Sequence, residues 1–207
     1  MKKYIFLFCV IISSQDLFSQ EVGKIEFSGY VNEMFSVFTE NLDNSWYWQN
    51  TVHNRLTFGW QPGEYWRIDA GIRNRLFSGD FLDIPGYAKN MGKDNGYMDL
   101  SWNIMDKKNA LLNMACDRLY LTFEKEKWCL KLGRQRVNWG QTFVWNANDL
   151  FNSYSFFDFD YIERPGCDAF RGTYYHNATS FSEVVVSLDH SKKVTAALLH
   201  HGTIKNF

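Results

Sequence analysis

Two alternating segments joined by a tight turn decide the fold of this chain: residues 48–76 read WQNTVHNRLTFGWQPGEYWRIDAGIRNRL. In the first segment Leu56 and Phe58 alternate with Arg55 and Thr57, so apolar and polar side chains take turns along the backbone. A period of two is the pattern of a β-strand, whose successive side chains point to opposite faces. The segment is therefore predicted to be a strand with one apolar face and one polar face.

The second segment, residues 65–76, repeats this alternation after a Pro-Gly turn at residues 62–63. Its polar face would carry Arg67, Arg73 and Arg75. In a dry core each of these charges would need a partner, whereas a water-filled lumen keeps them hydrated. The two strands are therefore typical of a transmembrane β-barrel, which has an apolar exterior and a polar interior. A secreted, soluble β-sandwich whose arginines face solvent is the alternative.

The same alternation continues along the chain and predicts an all-β, antiparallel, up-and-down fold. Eight strands are predicted, at residues 24–38, 48–60, 65–76, 118–124, 128–135, 169–176, 181–188 and 193–200. Glu33 interrupts the apolar face of the first strand. Residues 77–117 are rich in Gly, Asn and Asp and are interpreted as a long connection.

The lengths of the connections alternate as well. Long or variable connections cover residues 39–47, 77–117 and 137–168, and short ones cover residues 61–64, 125–127 and 177–180. Short turns at one rim and long loops at the other are typical of up-and-down transmembrane barrels. Trp48, Trp60, Trp66 and Trp128 lie near the ends of predicted strands, where such a barrel carries its aromatic girdles. The predicted fold is therefore a transmembrane β-barrel of about eight strands.

Composition is compatible with this fold and excludes others. The chain has 207 residues, with 22 Lys+Arg and 23 Asp+Glu, so its net charge of -1 gives no electrostatic case for binding nucleic acid. Aromatic residues make up 18% of the chain, which is too aromatic for a disordered protein. The mean hydropathy of -0.36 is too low for a bundle of transmembrane helices.

The first 20 residues are predicted to be a secretory signal peptide. Lys2 and Lys3 form a basic start, residues 4–12 (YIFLFCVII) form a short apolar run, and residues 13–20 are polar. The apolar run is too short for a membrane-spanning helix. Residues 21–207 are then the exported barrel domain, which is expected in the outer membrane with lipid as its surroundings.

The most specific part of the sequence is residues 132–171, LGRQRVNWGQTFVWNANDLFNSYSFFDFDYIERPGCDAFR. Its short motifs are, in order, Gly133-Arg134-Gln135, Trp139-Gly140, Asn148-Asp149 and Arg164-Pro165-Gly166. This order resembles a family of Gram-negative outer-membrane barrels, the porin-like barrels that group with alginate-export-type channels. The family usually has a proline before the Asp of the middle motif, where this chain has Ala147 and Asn148. The resemblance implies a β-barrel channel or pore and gives no substrate.

Two further expectations concern the length of the chain, which follows from the resemblance, and the motif region, which follows from its residues. Family barrels are longer than this chain, so the chain is expected to be a truncated copy that lacks strands at its C-terminus. The motif region is expected to form a constriction loop that folds into the lumen, with an ordinary surface loop as the alternative. Gly133 permits a bulge or a close backbone approach. Strict alternation would place Arg134 and Arg136 on the lipid face, where a charge is costly at the middle of the membrane. They are therefore expected either to lie at the rim of the barrel or to be turned inward by a bulge.

Strand parity also selects the residues that would line the lumen. They are His53, Arg55, Arg67, Asp69, Arg73, Arg75, Arg118, Lys131, Arg171 and Glu183. Eight of these ten are basic when His is counted, so their local field would favour anions. A shift of one residue in register would reverse this assignment. The predicted function is an outer-membrane porin-like channel for small solutes with a preference for anions, without enzymatic activity and without a cofactor.

Two other functions stay open. A narrow structural or binding barrel is one, because eight strands enclose little more than their own side chains. A barrel-embedded hydrolase is the other, although the sequence contains no G-x-S-x-G motif that would mark a nucleophile.

Metal and thiol chemistry are weakly indicated. Asp158, Asp160 and Glu163 form an acidic cluster with oxygen ligands of the kind that Ca²⁺ takes, and arginines are their alternative partners. The five histidines have no metal-ligand spacing, so no metal site is predicted. The mature cysteines are expected to be free thiols, and one disulfide is the alternative; they are Cys116, Cys129 and Cys167.

Overall fold

The computed structural model describes residues 23–39, 46–139, 150–151 and 166–202. Within these residues the chain forms nine β-strands: β1 (Ile25–Thr39), β2 (Trp46–Trp60), β3 (Trp66–Gly79), β4 (Ser101–Lys107), β5 (Ala110–Lys125), β6 (Trp128–Gln135), β7 (Cys167–Asn177), β8 (Ser180–Leu188) and β9 (Val194–His201). A 3-10 helix (Asp80–Asp83) and the short helix α1 (Tyr87–Met91) follow β3. Neither of these two helices is long enough and apolar enough to cross a membrane.

All of these strands belong to one antiparallel sheet. Its order is β1-β2-β3-β5-β6-β7-β8-β9, so strands that follow each other in the chain are neighbours in the sheet. β4 lies off this path and pairs with the first part of β5, up to Ala115. β6 pairs with the same edge of β5 from Leu119 onward. The all-β, antiparallel, up-and-down arrangement predicted from the alternation is confirmed.

The interpretation of residues 77–117 as a connection is wrong in part. β3 continues to Gly79, β4 is an additional strand, and β5 begins at Ala110 instead of Arg118. The alternation is hidden there because consecutive leucines occupy opposite faces: Leu111 is fully buried, and Leu112 follows it on the other side of the strand. A period of two cannot be recognised where both faces carry apolar side chains.

The described strands form an open sheet, so the closed barrel predicted from the sequence is not seen among them. β1 and β9 are the edge strands of this part of the chain, and no pairing joins the two there. The predicted signal peptide, residues 1–20, lies outside the described residues, as do residues 203–207.

Connection lengths segregate between the two ends of the sheet, as the sequence predicts. At one end the strands are joined through residues 61–65, 126–127 and 178–179. At the other end they are joined through residues 40–45, 80–100 and 136–166, and two brief connections also lie there, at residues 108–109 and 189–193. These ends are called the short-turn end and the long-loop end.

The two faces of the sheet have opposite polarity, and the polar one is covered. The buried face carries Thr51, His53, Arg55, Arg73, Arg75, Asn113, Asp117, Arg118, Thr122, Gln135, Thr173, Glu183 and Ser187. The exposed face carries Ile25, Phe27, Val31, Phe35, Trp60, Ile72, Leu76, Leu119, Leu121, Leu132, Phe170, Val184, Val186 and Leu198. In water-soluble sheets the apolar face is normally the covered one. The sheet therefore has an inverted distribution of polarity.

A bulge in β5 brings two consecutive charged residues to the buried face. Gly71 of β3 pairs with Arg118, but the next residue, Ile72, pairs with Cys116. Asp117 is the extra residue of this bulge, and both Asp117 and Arg118 are buried. An extra residue without a partner is what turns two neighbouring side chains toward the same face.

A second irregularity turns β6 at Gly133. This residue has a φ of 121°, a conformation that side chains rarely adopt, and a Cβ here would overlap the carbonyl oxygen of Leu119. Leu132 before it is 61% exposed, whereas Arg134 after it is 3% exposed. The close backbone approach expected at Gly133 therefore occurs, and Arg134 is buried although the register pairs it with the exposed Leu119.

Candidate functional site

Basic side chains of neighbouring strands face each other at the centre of the buried face. Arg55 of β2 is directly opposite Arg73 of β3, and His53 is directly opposite Arg75. All four side chains are buried. Their positions follow from the alternation and from the antiparallel register, which places directly opposed residues on one face.

Polar groups of β5 bind this central group. Asp117 lies 3.3 Å from Nη1 of Arg55 and 3.7 Å from Nη1 of Arg118. Arg75 donates from Nη2 to Oδ1 of Asn113 at 3.2 Å, and its guanidinium lies 5.3 Å from the ring centre of Phe77. The β5 bulge thus supplies a carboxylate to Arg55 of β2 and to the neighbouring Arg118.

A second row of basic residues crosses the sheet nearer the short-turn end. The row runs from Arg67 of β3 through Thr122 of β5 and Lys131 of β6 to Arg171 of β7, and each residue is directly opposite the next. Arg67 forms ion pairs with Glu26 at 2.8 Å and with Asp69 at 2.9 Å. It is about one-third exposed, so this row is more accessible than the central group.

Glu183 of β8 collects three hydrogen bonds although it is 1% exposed. Its Oε2 accepts from Nη2 of Arg171 at 2.6 Å and from the hydroxyl of Thr173 at 2.9 Å. Its Oε1 accepts from the indole Nε1 of Trp139. The contact with Trp139 was not foreseen from the sequence, since 44 positions separate the two residues.

Arg134 forms the most extensive polar contact among the described residues. Its Nε and Nη2 donate to the two carboxylate oxygens of Asp168, each at 2.9 Å. Its Nη1 donates to Asp94 and to the carbonyl of Cys116, and its Nη2 also donates to the carbonyl of Met98. All five N–H donors of the guanidinium are therefore used, which is the geometry that favours arginine for buried ion pairs. Asp94 was missed by the sequence reasoning because it lies within the connection.

Residues 80–100, here called the strap, lie across the buried face at the long-loop end. Near β3, Arg75 donates to the carbonyl of Met91 and Gln49 donates to the hydroxyl of Tyr87. At the far side, Gly96 forms a backbone bridge with Asp189 in the connection between β8 and β9. In the order of the sheet, β5, β6 and β7 lie between these two attachment points.

The described parts of the second long connection also pack on the buried face. Val137 and Phe151 are buried together with Ala169 of β7 and Val185 of β8. Gly166, at the end of this connection, lies so close to β5 that a Cβ would be 2.6 Å from the carbonyl oxygen of Asp117. The motif region therefore begins and ends against the polar face of the sheet.

The predicted residues fall into two groups. All ten residues predicted to line a lumen lie on the buried face, as the register shows. In the motif region, Gly133, Arg134, Gln135, Trp139 and Gly166 are described, whereas five residues lie outside the described part: Gly140, Asn148, Asp149, Arg164 and Pro165.

Only part of the predicted metal and thiol chemistry lies within the described residues. The acidic cluster of Asp158, Asp160 and Glu163 lies outside the described residues. Within the described ranges, no group of three or more His, Cys, Asp or Glu side chains is arranged to hold a metal ion. Three cysteines are free thiols in the structure: Cys116, Cys129 and Cys167.

Comparisons with known proteins found no match: no family model, no curated protein and no solved structure is similar to this chain. The features of this chain that bear on function are therefore the opposite polarity of the two faces of its sheet and the contacts of its buried charged side chains.

Proposed function

We propose that this chain forms part of the wall of an outer-membrane β-barrel channel that passes small solutes and prefers anions. The observation that carries the proposal is the inverted polarity of the sheet, with large apolar side chains on the exposed face and charged ones on the buried face. A barrel in lipid requires this arrangement, because its exterior meets hydrocarbon and its interior meets water. In water the same exposed face would be a large apolar patch prone to association.

The length of the strands supports a membrane position. Trp48 and Trp60 lie near opposite ends of β2, 12 residues apart. At about 3.3 Å per residue they are separated by about 40 Å along the strand, or about 30 Å along the membrane normal for a tilt of about 40°. This matches the hydrocarbon thickness of about 30 Å. Trp66 and Trp128 begin their strands at the short-turn end, where an interfacial girdle would place them.

The anion preference rests on the side chains of the buried face. Four buried arginines and one carboxylate, all among the described residues, meet at the centre of that face: Arg55, Arg73, Arg75, Arg118 and Asp117. Fixed cationic charges along an aqueous path raise the local concentration of anions. Lys131 and Arg171 continue the basic surface toward the short-turn end.

The open edges of the sheet bear on the size of the barrel. β1 is a 15-residue strand with one unpaired edge among the described residues, and β9 forms the opposite edge. Unpaired backbone groups are costly in lipid, so a sheet in a membrane must close. We therefore propose that further strands pair with β1 and β9 and complete a barrel wider than nine strands would enclose. This is also what the resemblance to porin-like barrels implies.

A hydrolase is a second candidate because of one arrangement on the exposed face. The hydroxyl of Ser182 lies 2.8 Å from Nε2 of His176 and 2.9 Å from Nδ1 of His200. A serine beside an imidazole is the minimal pair for nucleophilic catalysis. Hydrolysis of phospholipid or of an ester substrate by the intact chain, lost in Ser182→Ala, would favour this function over a channel.

The channel proposal is tested by reconstituting the purified protein, complete with the strands that close its barrel, into planar lipid bilayers. We expect discrete conductance steps, and a reversal potential in a KCl gradient with the sign of a chloride preference. A reversal potential of the opposite sign would overturn the anion preference. Insertion without conductance would favour a narrow structural or binding barrel, and extraction from cells without detergent would favour a secreted soluble protein.

A further inference from the structure

The strap is held to the sheet by a polar contact that is unusually complete. Arg134 uses all five N–H donors, and three of the groups that accept them belong to β5 and to the strap: Cys116, Asp94 and Met98. Asp168 of β7 holds the guanidinium in a bidentate contact and also accepts the backbone N–H of Met98 at 2.9 Å. One side chain therefore ties three strands and the strap together.

Asp94 shapes the strap as well as binding it. Its Oδ1 accepts the N–H of Gly96 at 2.8 Å, and its Oδ2 accepts the N–H of Leu100 at 2.8 Å. The carboxylate thus closes residues 94–100 into a compact loop and presents a charged oxygen to Arg134. Such a loop, without regular structure of its own, depends on these contacts for its order.

Gly96 lies directly against the ion pair. A Cβ at this position would overlap the Arg134 guanidinium and would come within 2.6 Å of Oδ2 of Asp168. The absence of a side chain at position 96 is therefore required for the strap to approach Arg134. The same residue bridges to Asp189, so the close approach also fixes the far attachment of the strap.

We propose that the strap is a gate at the long-loop mouth, and that the pair formed by Arg134 and Asp94 locks it closed. This inference rests on the proposed channel function. The strap covers part of the polar face that would line the water-filled path, where it contacts Gln49 and Arg75 of the central basic group's strands. A strap in this position narrows the path for a solute. Its release removes the narrowing without altering the strands that form the wall.

The test compares Asp94→Asn with a matched control, Asp83→Asn. Asparagine at position 94 keeps one oxygen for the local loop but removes the charge that Arg134 binds. Asp83 lies in the same connection, in the 3-10 helix, and its substitution changes the net charge equally. Gly96→Ala is a second variant that displaces the strap without changing any charge. The complete protein, with the strands that close its barrel, is reconstituted in lipid for each variant, and strand content is verified by circular dichroism.

Two measurements are made on each variant: hydrogen exchange of the amides of residues 94–100, and single-channel conductance. We expect exchange in Asp94→Asn to be faster by about tenfold, the effect of losing one charge-assisted hydrogen bond. We expect it to be faster in Gly96→Ala as well, because the added Cβ overlaps the Arg134 guanidinium and displaces the strap. We also expect both variants to conduct more than the wild-type chain, with the Asp83→Asn control unchanged in both measurements.

The remaining outcomes separate the gate from the channel. Faster exchange with wild-type conductance would overturn the gate and leave the channel standing. Unchanged exchange in both variants would overturn the lock formed by Arg134. If neither the wild-type protein nor any variant conducts, the proposed channel fails and the gate fails with it. In that case hydrogen exchange still reports whether Arg134 holds the strap.

Discussion

The indole of Trp139 donates a hydrogen bond to the buried carboxylate of Glu183, and this contact ties the second long connection to β8. Glu183 also accepts hydrogen bonds from Arg171 and Thr173, its cross-strand neighbours on β7. Three donors compensate the loss of hydration of a carboxylate that is almost fully covered. The connection that contains the specific sequence motifs is therefore attached to the sheet by a buried charge.

Replacing Trp139 by phenylalanine is expected to weaken this attachment. The Trp139→Phe variant keeps an aromatic ring against Phe151 but leaves one oxygen of Glu183 without its donor. We expect the free energy of unfolding to fall by about 1–2 kcal/mol, as urea titration in lipid vesicles would measure. Trp128→Phe is the control, because Trp128 is an exposed residue at the start of β6. Equal losses in the two variants would show that the contact with Glu183 contributes nothing.

Alanine at position 133 is expected to disrupt the turn that buries Arg134. The Gly133→Ala variant places a Cβ in a residue with a φ of 121° and against the backbone of Leu119. We expect a loss of stability of about 1–3 kcal/mol from backbone strain alone. Gly63→Ala serves as the control, since nothing lies within 4 Å of a Cβ there. A Gly133→Ala chain as stable as the control would contradict the assignment of strain to this position.

A charge on the exposed face distinguishes lipid from water as its surroundings. Leu132 is 61% exposed in β6, and Leu150 is 55% exposed in the second long connection. If the exposed face contacts lipid, Leu132→Arg costs up to about 2–4 kcal/mol, depending on its depth in the bilayer. In a water-soluble protein such a surface substitution changes stability by about 0.5 kcal/mol or less. The comparison with Leu150→Arg, by folding into vesicles, decides between the two.

Neutralising one arginine of the central group is expected to reduce anion preference. A unit charge about 10 Å from the path of an ion changes the energy of that ion by about 1.7 kcal/mol at an effective dielectric constant of about 20. Screening by about 0.1 M salt reduces this energy to about 0.6 kcal/mol. We therefore expect Arg73→Gln to lower the ratio of chloride to potassium permeability by about threefold. The reversal potential in a KCl gradient measures this ratio, with Lys107→Gln, an exposed residue at the end of β4, as the control. A ratio unchanged in Arg73→Gln would place the ion path elsewhere.

Much of the sheet could be predicted because its pattern is local. The eight predicted strands all occur, and residues such as Arg55 and Arg73 share a face as expected, since side-chain direction alternates with each residue of a strand. The additional strand β4 and the first half of β5 escaped prediction where apolar residues occupy both faces. Even the turn at Gly133 could be expected, because strict alternation would have left Arg134 on the apolar face.

The partners of the buried charges could not be predicted in the same way. Asp94 binds Arg134 across 40 positions of the chain, and Asp168 binds it across 34. No local pattern identifies which of many carboxylates will meet a given arginine, since the contact depends on register, on a bulge and on the path of a connection. For this reason the sequence predicts only a long connection where the strap lies.

The sequence by itself determined which side chains of this protein lie together on each face, because the alternation is a property of the extended backbone. It also determined that connections of different lengths separate to opposite ends of the sheet. Only the tertiary structure decided that the strap crosses the polar face and that Arg134 holds it between Asp94 and Asp168. Those contacts join residues that approach each other only after the strands have paired, so their energies depend on the complete arrangement and not on any segment alone.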